Sequence, residues 1–122
     1  MRGTMSNLDI QELIGILKKS FISENSLGID MSVQLDLTGD GGGQWYMLIQ
    51  EQKCQIESGV YPYAKATLSL DKNDLFRLLS GELNPIKAFF TGRVHISGDR
   101  SSVMKLTSLF QIDQETINKF RT

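Results

Sequence analysis

The chain has 122 residues, with 13 Lys plus Arg against 14 Asp plus Glu, one histidine and one cysteine. That length suits one domain with its own core, and a net charge of −1 gives no bulk attraction for nucleic acid or an anionic bilayer. A lone Cys54 closes no internal disulfide, no apolar run approaches the ~20 residues a membrane span needs, and the N-terminus carries no apolar leader core. The expectation is a soluble, cytoplasmic, single-domain protein over 1–122, without stable membrane insertion and with residues 1–6 extended or disordered.

The first helix is expected from Ser6 or Asn7 as cap, with Asp9 and Glu12 near its positive end. Leu8, Leu13, Ile14, Leu17 and Phe21 then fall near one face. After Gly28 the period changes to two. Ile29, Met31, Val33, Leu35 and Leu37 alternate with polar residues, which predicts a first strand. The glycine cluster 39–43 predicts a turn into a second strand, Gln44 to Gln52, with large groups on both faces. A shorter, more polar third strand from Lys53 to Gly59 reads as a sheet edge. Ala66, Leu68 and Leu70 alternate as a fourth strand.

Asp71 or Asn73 caps a short helix with Leu75, Phe76, Leu78 and Leu79, which Gly81 ends. Asn84 and Pro85 restart it, because proline has no N–H to leave unpaired at the first helical position. Gly92 stops that helix. Arg93 to Ser97 predict a fifth strand with Val94 and Ile96 inward. Ser101 is expected to cap a helix carrying Val103, Met104, Leu106, Leu109 and Phe110, and Gln114 to Phe120 add a final amphipathic turn or two.

The inventory for chemistry is thin. The glycine cluster lacks the G-x-G-x-x-G spacing, since Gln44 stands where the last glycine belongs, and a strand follows it rather than a helix. His95 alternates with inward residues and so faces solvent, without a companion base or ligand set. Cys54 has only Lys53 as a basic neighbour and reads as a small structural residue. Asp71, Asp74, Asp99 and Asp113 stand at helix starts, where capping accounts for them. No catalytic residue, metal site or cofactor is expected.

Leu78-Leu79-Ser80-Gly81, Leu83-Asn84-Pro85, Lys87-Ala88-Phe89-Phe90-x-Gly92-Arg93, Ile96-x-Gly98 and Met104-Lys105-Leu106 together resemble the sterol carrier protein type two family. The order of elements agrees from about Asn7 onward, with Trp45 early in the second strand. The resemblance implies an α+β fold: a five-stranded mixed sheet, helices on one face and a hydrophobic tunnel between the layers. It implies a non-catalytic lipid carrier or an accessory module of lipid-metabolising enzymes, with fatty acid, acyl-CoA, sterol or phospholipid as ligand. The matching apolar positions are Trp45, Leu79, Phe89, Phe90 and Met104, to which helical phase adds Phe76, Ile86 and Phe110.

Two departures bear on the ligand. Family members often carry Gln where Ile86 follows Asn84-Pro85, and others a polar amide where Met104 stands. Apolar groups at both places favour a long acyl chain over a sterol hydroxyl. The end, Phe120-Arg121-Thr122, differs from the peroxisomal Ser-Lys-Leu. The segment from Gln111 to Thr122 is the candidate lid. A partner enzyme and a homodimer stay open, as does a non-binding interaction module whose cavity is filled by its own side chains.

Overall fold

The computed structural model describes residues 8–120, so the Ser6 or Asn7 cap and residues 1–6 lie outside them. Helix α1 (Ile10–Ser20) leads through a short 3-10 turn (Ser23–Ser26) to β1 (Met31–Thr38), β2 (Gly43–Gln50), β3 (Lys53–Ser58) and β4 (Ala66–Asp71). Helices α2 (Lys72–Leu79) and α3 (Pro85–Phe90), strand β5 (Val94–Gly98), and helices α4 (Arg100–Leu109) and α5 (Gln114–Phe120) follow.

The sheet is five-stranded and mixed, in the order β3-β2-β1-β4-β5. β1 and β4 run parallel, and the other neighbours are antiparallel. Register follows from side-chain parity, because a one-residue slip would turn each apolar set outward. Trp45 lies beside Leu35, Leu35 beside Leu68, and Leu68 beside Ile96. This row and its neighbours, Met47–Val33–Ala66 and Leu37–Leu70–Val94, make the inner face that the helices cover. The outer face carries Ser32, Asp36, Thr67, Ser69, His95 and Ser97.

Gln34 is the exception on that outer face, only 6% exposed. Its amide donates to the Trp45 and Gly59 carbonyls at 3.1 and 3.0 Å and accepts from the Tyr61 N–H at 2.9 Å. Three hydrogen bonds meet the requirement that a buried amide be paired. They also pin the loop after β3, whose Tyr61 ring lies tilted against Tyr46 and edge-on to Tyr63.

The stop and restart between α2 and α3 are built as their residues dictate. Gly81 takes φ +86°, a conformation open to glycine at no steric cost, and the Glu82 and Leu83 N–H groups close on the Arg77 carbonyl at 2.8 and 3.0 Å. The Asn84 carboxamide oxygen then accepts from Ile86 and Lys87 N–H at 2.9 and 3.1 Å, with Pro85 in the first turn. Gly98 takes φ +83°, and a Cβ there would run into the Lys65 carbonyl. That contact gives a steric reason for the glycine of Ile96-x-Gly98.

Three capping assignments are corrected. α1 begins after Asp9, whose side chain makes no capping bond. α4 is capped by Asp99 rather than Ser101; the carboxylate accepts from the Ser101 N–H at 3.1 Å and from the Ser101 and Ser102 hydroxyls at 2.7 and 2.8 Å. A carboxylate two residues earlier offers the stronger acceptor, and the serines become its donors. Asp74 is no cap. It lies within α2, buried, and joins Arg77 at 2.8 Å and Arg93 at 2.7 Å, tying α2 to the start of β5. Asp71 and Asp113 do accept from the Asn73 and Thr116 N–H groups.

The C-terminal elements close the other end of the helical layer. Ile22 N–H bonds the Leu109 carbonyl and Gln111 N–H the Ser20 carbonyl, while the Phe21 and Phe110 rings meet at 5.7 Å. From there α5 folds back so that Phe120 meets the edge of Phe76 at 5.9 Å.

Candidate functional site

Between the inner face of the sheet and helices α2 and α4 lies an apolar cavity of about 30 Å³. The sheet contributes Leu35, Met47, Leu68, Val94 and Ile96. Helices α2 and α4 contribute Leu75, Leu78, Leu79, Val103, Met104, Leu106 and Thr107, and Pro85 of α3 and Phe110 just beyond α4 complete the wall. Thr107 carries the single hydroxyl in this lining. The volume admits no more than about two waters, and an apolar lining gives them almost nothing to bond.

The cavity approaches the surface in two directions. Toward α3 it shares Ile96 and Met104 with a groove of about 170 Å³ completed by Ile86, Phe89, Phe90 and Arg100. Toward α5 it shares Leu78, Leu79, Pro85, Thr107 and Phe110 with a groove of about 600 Å³. That second groove is more polar, with Ser80, Asn84, Gln111 and Gln114 on its walls.

Apolar side chains are exposed at the first mouth. Phe90 is 79% exposed, Ile86 56% and Met104 41%. The shortness of α3 is the cause: six residues bury Ala88 against the core and leave Ile86 and Phe90, one turn apart, outside. Phe89 meets the edge of Phe90 at 5.6 Å and carries the Arg100 guanidinium over its face at 5.1 Å.

The residues singled out from the sequence therefore separate into three groups. Leu79, Met104 and Phe110 line the cavity. Ile86, Phe89 and Phe90 join Met104 in the outer groove. Trp45 and Phe76 reach neither. Trp45 is half-buried near the hairpin end of β2, in the row that leads through Leu35 to the cavity. Phe76 is fully buried and stands about 100° around α2 from Leu75, so it faces Phe120 and not the void. The rest of the lining was not expected from the sequence, including the sheet residues Leu35, Met47, Leu68, Val94 and Ile96, although strand parity already turned these inward.

The groups considered for chemistry lie elsewhere. Burial pushes the Cys54 thiol up to about 12, with nearby Lys18 opposing the shift. His95 is exposed on the outer face of β5, at the opposite sheet edge from Cys54 on β3. The glycine cluster 39–43 forms the β1–β2 turn, with Gly39, Gly41 and Gly43 at positive φ. Among the described residues no helix is long and apolar enough to cross a membrane.

Known proteins resemble this chain in sequence, and solved structures share its fold. The chain is 27% identical over 101 residues to bovine (Bos taurus) hydroxysteroid dehydrogenase-like protein 2, covering 82% of this chain and 24% of that one. It thus spans about a quarter of the length of the curated relatives it matches. Among solved structures, the sec-alkylsulfatase Pisa1 from Pseudomonas superposes with a TM-score of 0.77 at 19% identity, over 85% of this chain and 16% of the sulfatase. Palmitated SCP2L2 from Aedes aegypti superposes at 0.62 with 20% identity, over 83% of this chain and 93% of the mosquito protein. The model of the SCP-2 sterol transfer family matches residues 25–111, from the 3-10 turn to just beyond α4 and so both walls of the cavity, and the chain belongs to that family.

Proposed function

We propose that this domain is a non-catalytic lipid binder that houses one long acyl chain between the sheet and helices α2 and α4. It then carries the lipid or presents it to a partner enzyme of lipid metabolism. The observation that carries this reading is the apolar cavity meeting an apolar outer groove at Ile96 and Met104. Each methylene taken from water contributes about 0.8 kcal/mol, so ten give a gross ~8 kcal/mol before ordering costs. A gross figure of that size sets micromolar as the tightest affinity ten methylenes can give, and longer chains offset the ordering costs.

Ligand-sized pockets measure roughly 300–1,000 Å³, against about 30 Å³ here, so entry requires side chains to move. Met104 is suited to that movement, because an unbranched thioether side chain repacks at little cost. An acyl chain can thread such a neck, whereas a rigid ring system needs the whole width at once. The palmitated state of the mosquito neighbour supports the same choice. The dehydrogenase-like relatives and the sulfatase, each several times longer than this chain, support an accessory role beside an enzyme. Cys54, held as a thiol, and the distant His95 offer no nucleophile–base pair, in keeping with binding rather than catalysis. Release is assigned to α5, whose groove adjoins the cavity through Leu79 and Phe110.

The small cavity volume also favours a second reading, an interaction module with its interior filled. Native mass spectrometry of freshly purified protein, with lipid analysis of its organic extract, separates the two. The expected result is a stoichiometric long-chain lipid that is lost on Met104→Asp in a folded protein. A clean unliganded mass, with no uptake of offered palmitate, would leave the filled module as the account.

A further inference from the structure

We infer that the α3–α4 mouth is a docking surface for anionic lipid bilayers. Phe90 and Ile86 project from α3 and Met104 from α4, each exposed and, among the described residues, none covered by another element. Lys87 flanks them on α3 and Arg100 on α4, both exposed, and among the described residues neither has a carboxylate within ion-pair distance. The nearest carboxylate in sequence to Arg100, Asp99, is engaged by Ser101 and Ser102 at the start of α4, and the nearest to Lys87, Glu82, lies five residues before it and outside α3.

Apolar groups between cations match the boundary between phosphate headgroups and acyl chains. Aromatic and aliphatic side chains enter a few ångströms, while Lys and Arg stay at the phosphates and gain from negative surface charge. The net charge of −1 makes this a local attraction, so it falls steeply with salt. A second copy of the chain suits the face less well, because two such faces would bring Lys87 and Arg100 against their own counterparts. Docking there would set the outer groove, and Met104 with it, against the bilayer. Vesicle attachment at this face requires no ligand in the cavity.

The experiment is flotation of the whole chain with phosphatidylcholine vesicles and with vesicles in which about a third of the lipid is phosphatidylserine. Attachment to the anionic vesicles is expected at low salt, with little attachment to the neutral ones. Phe90→Ser should weaken it about tenfold or more, and Lys87→Glu with Arg100→Glu should abolish it. All three positions are exposed, so each variant should stay folded, with only a small fall in melting temperature from the lost Phe89 contacts of Phe90 and Arg100. Palmitate uptake from detergent by the wild type, with no vesicles present, serves as a separate readout, so its failure would count against the cavity and not against docking. The inference is overturned if the wild type ignores anionic vesicles at low salt, or if attachment survives these substitutions. A concentration-dependent dimer that Phe90→Ser dissolves would also overturn it, assigning the face to a second copy.

Discussion

In the β1–β2–β3 half of the sheet, Met31, Val33, Ile49 and Ile56 share one buried core with Leu13 and Leu17 of α1, and none is more than 3% exposed. In the β4–β5 half, α3 and α4 bury Ala88, Val103 and Leu106 but leave Ile86, Phe90 and Met104 in the open beside a void. Both halves use the same apolar chemistry. An eleven-residue helix presents a full stripe to the sheet, whereas the six-residue α3 cannot bury all its large side chains at once. If the proposed lipid site is right, stability is concentrated where packing is complete, and binding capacity where it is not. Substitutions that separate the two quantities test this division.

The largest effect is expected at Phe76. Its ring is fully buried against Phe120, so Phe76→Ala should cost about 3–5 kcal/mol in urea unfolding. Palmitate capacity per folded molecule should stay unchanged, because the ring does not reach the cavity. Retained stability with lost uptake would place Phe76 on the ligand instead. Next comes Asp74→Ala, which leaves Arg77 and Arg93 without their shared carboxylate. Both guanidinium groups keep access to water, so the loss should be about 2 kcal/mol rather than the larger figure for fully buried pairs. A double-mutant cycle with Arg93→Ala measures the portion that belongs to the α2–β5 tie.

Filling the void should move stability and binding in opposite directions. Val103→Leu adds one methylene to the cavity wall and should stabilise the domain by up to about 0.8 kcal/mol while weakening palmitate binding severalfold. Equal gains in both would mean that the acyl chain lies elsewhere.

Much of the fold was legible in the sequence, because its signals are local. Strand parity from Ile29 to Leu37 fixed the inner face, and Gly81 with Asn84-Pro85 fixed the break between α2 and α3. What could not be read depends on partners distant along the chain. Phe76 has helical phase compatible with either side of α2, and its side is settled by Phe120, which arrives only with α5. Asp74 has the position of a helix-start acid with Arg77 one turn on, and it ties α2 to β5 only when Arg93 is brought to it, 19 residues away. Gln34 occupies a solvent position in the strand pattern and is buried by the loop that Tyr61 carries back over it. The cavity is less legible still. Periodicity turns Ile96 and Leu79 inward, but whether inward side chains meet one another or a gap depends on helix length and tilt.

The smallest effect is expected at the start of α4, the helix that joins the two halves. The Ser101 and Ser102 hydroxyls, with weaker help from their N–H groups, hold the Asp99 carboxyl below its ordinary value of 3.8. A carboxyl whose pKa is lower folded than unfolded stabilises the fold above the unfolded value and ceases to do so as pH falls through the folded one. Asp99→Ala should therefore lower the melting temperature slightly at neutral pH, with wild type and variant converging once the pH drops below that folded value. Asp99→Asn keeps an acceptor for the Ser101 N–H and should restore most of the difference at neutral pH while removing its acid dependence. If Asp99→Ala instead altered palmitate uptake as much as a change at Met104, α4 would be a moving wall whose anchoring governs entry. Equal uptake would confine the moving parts to side chains at the mouth and to α5.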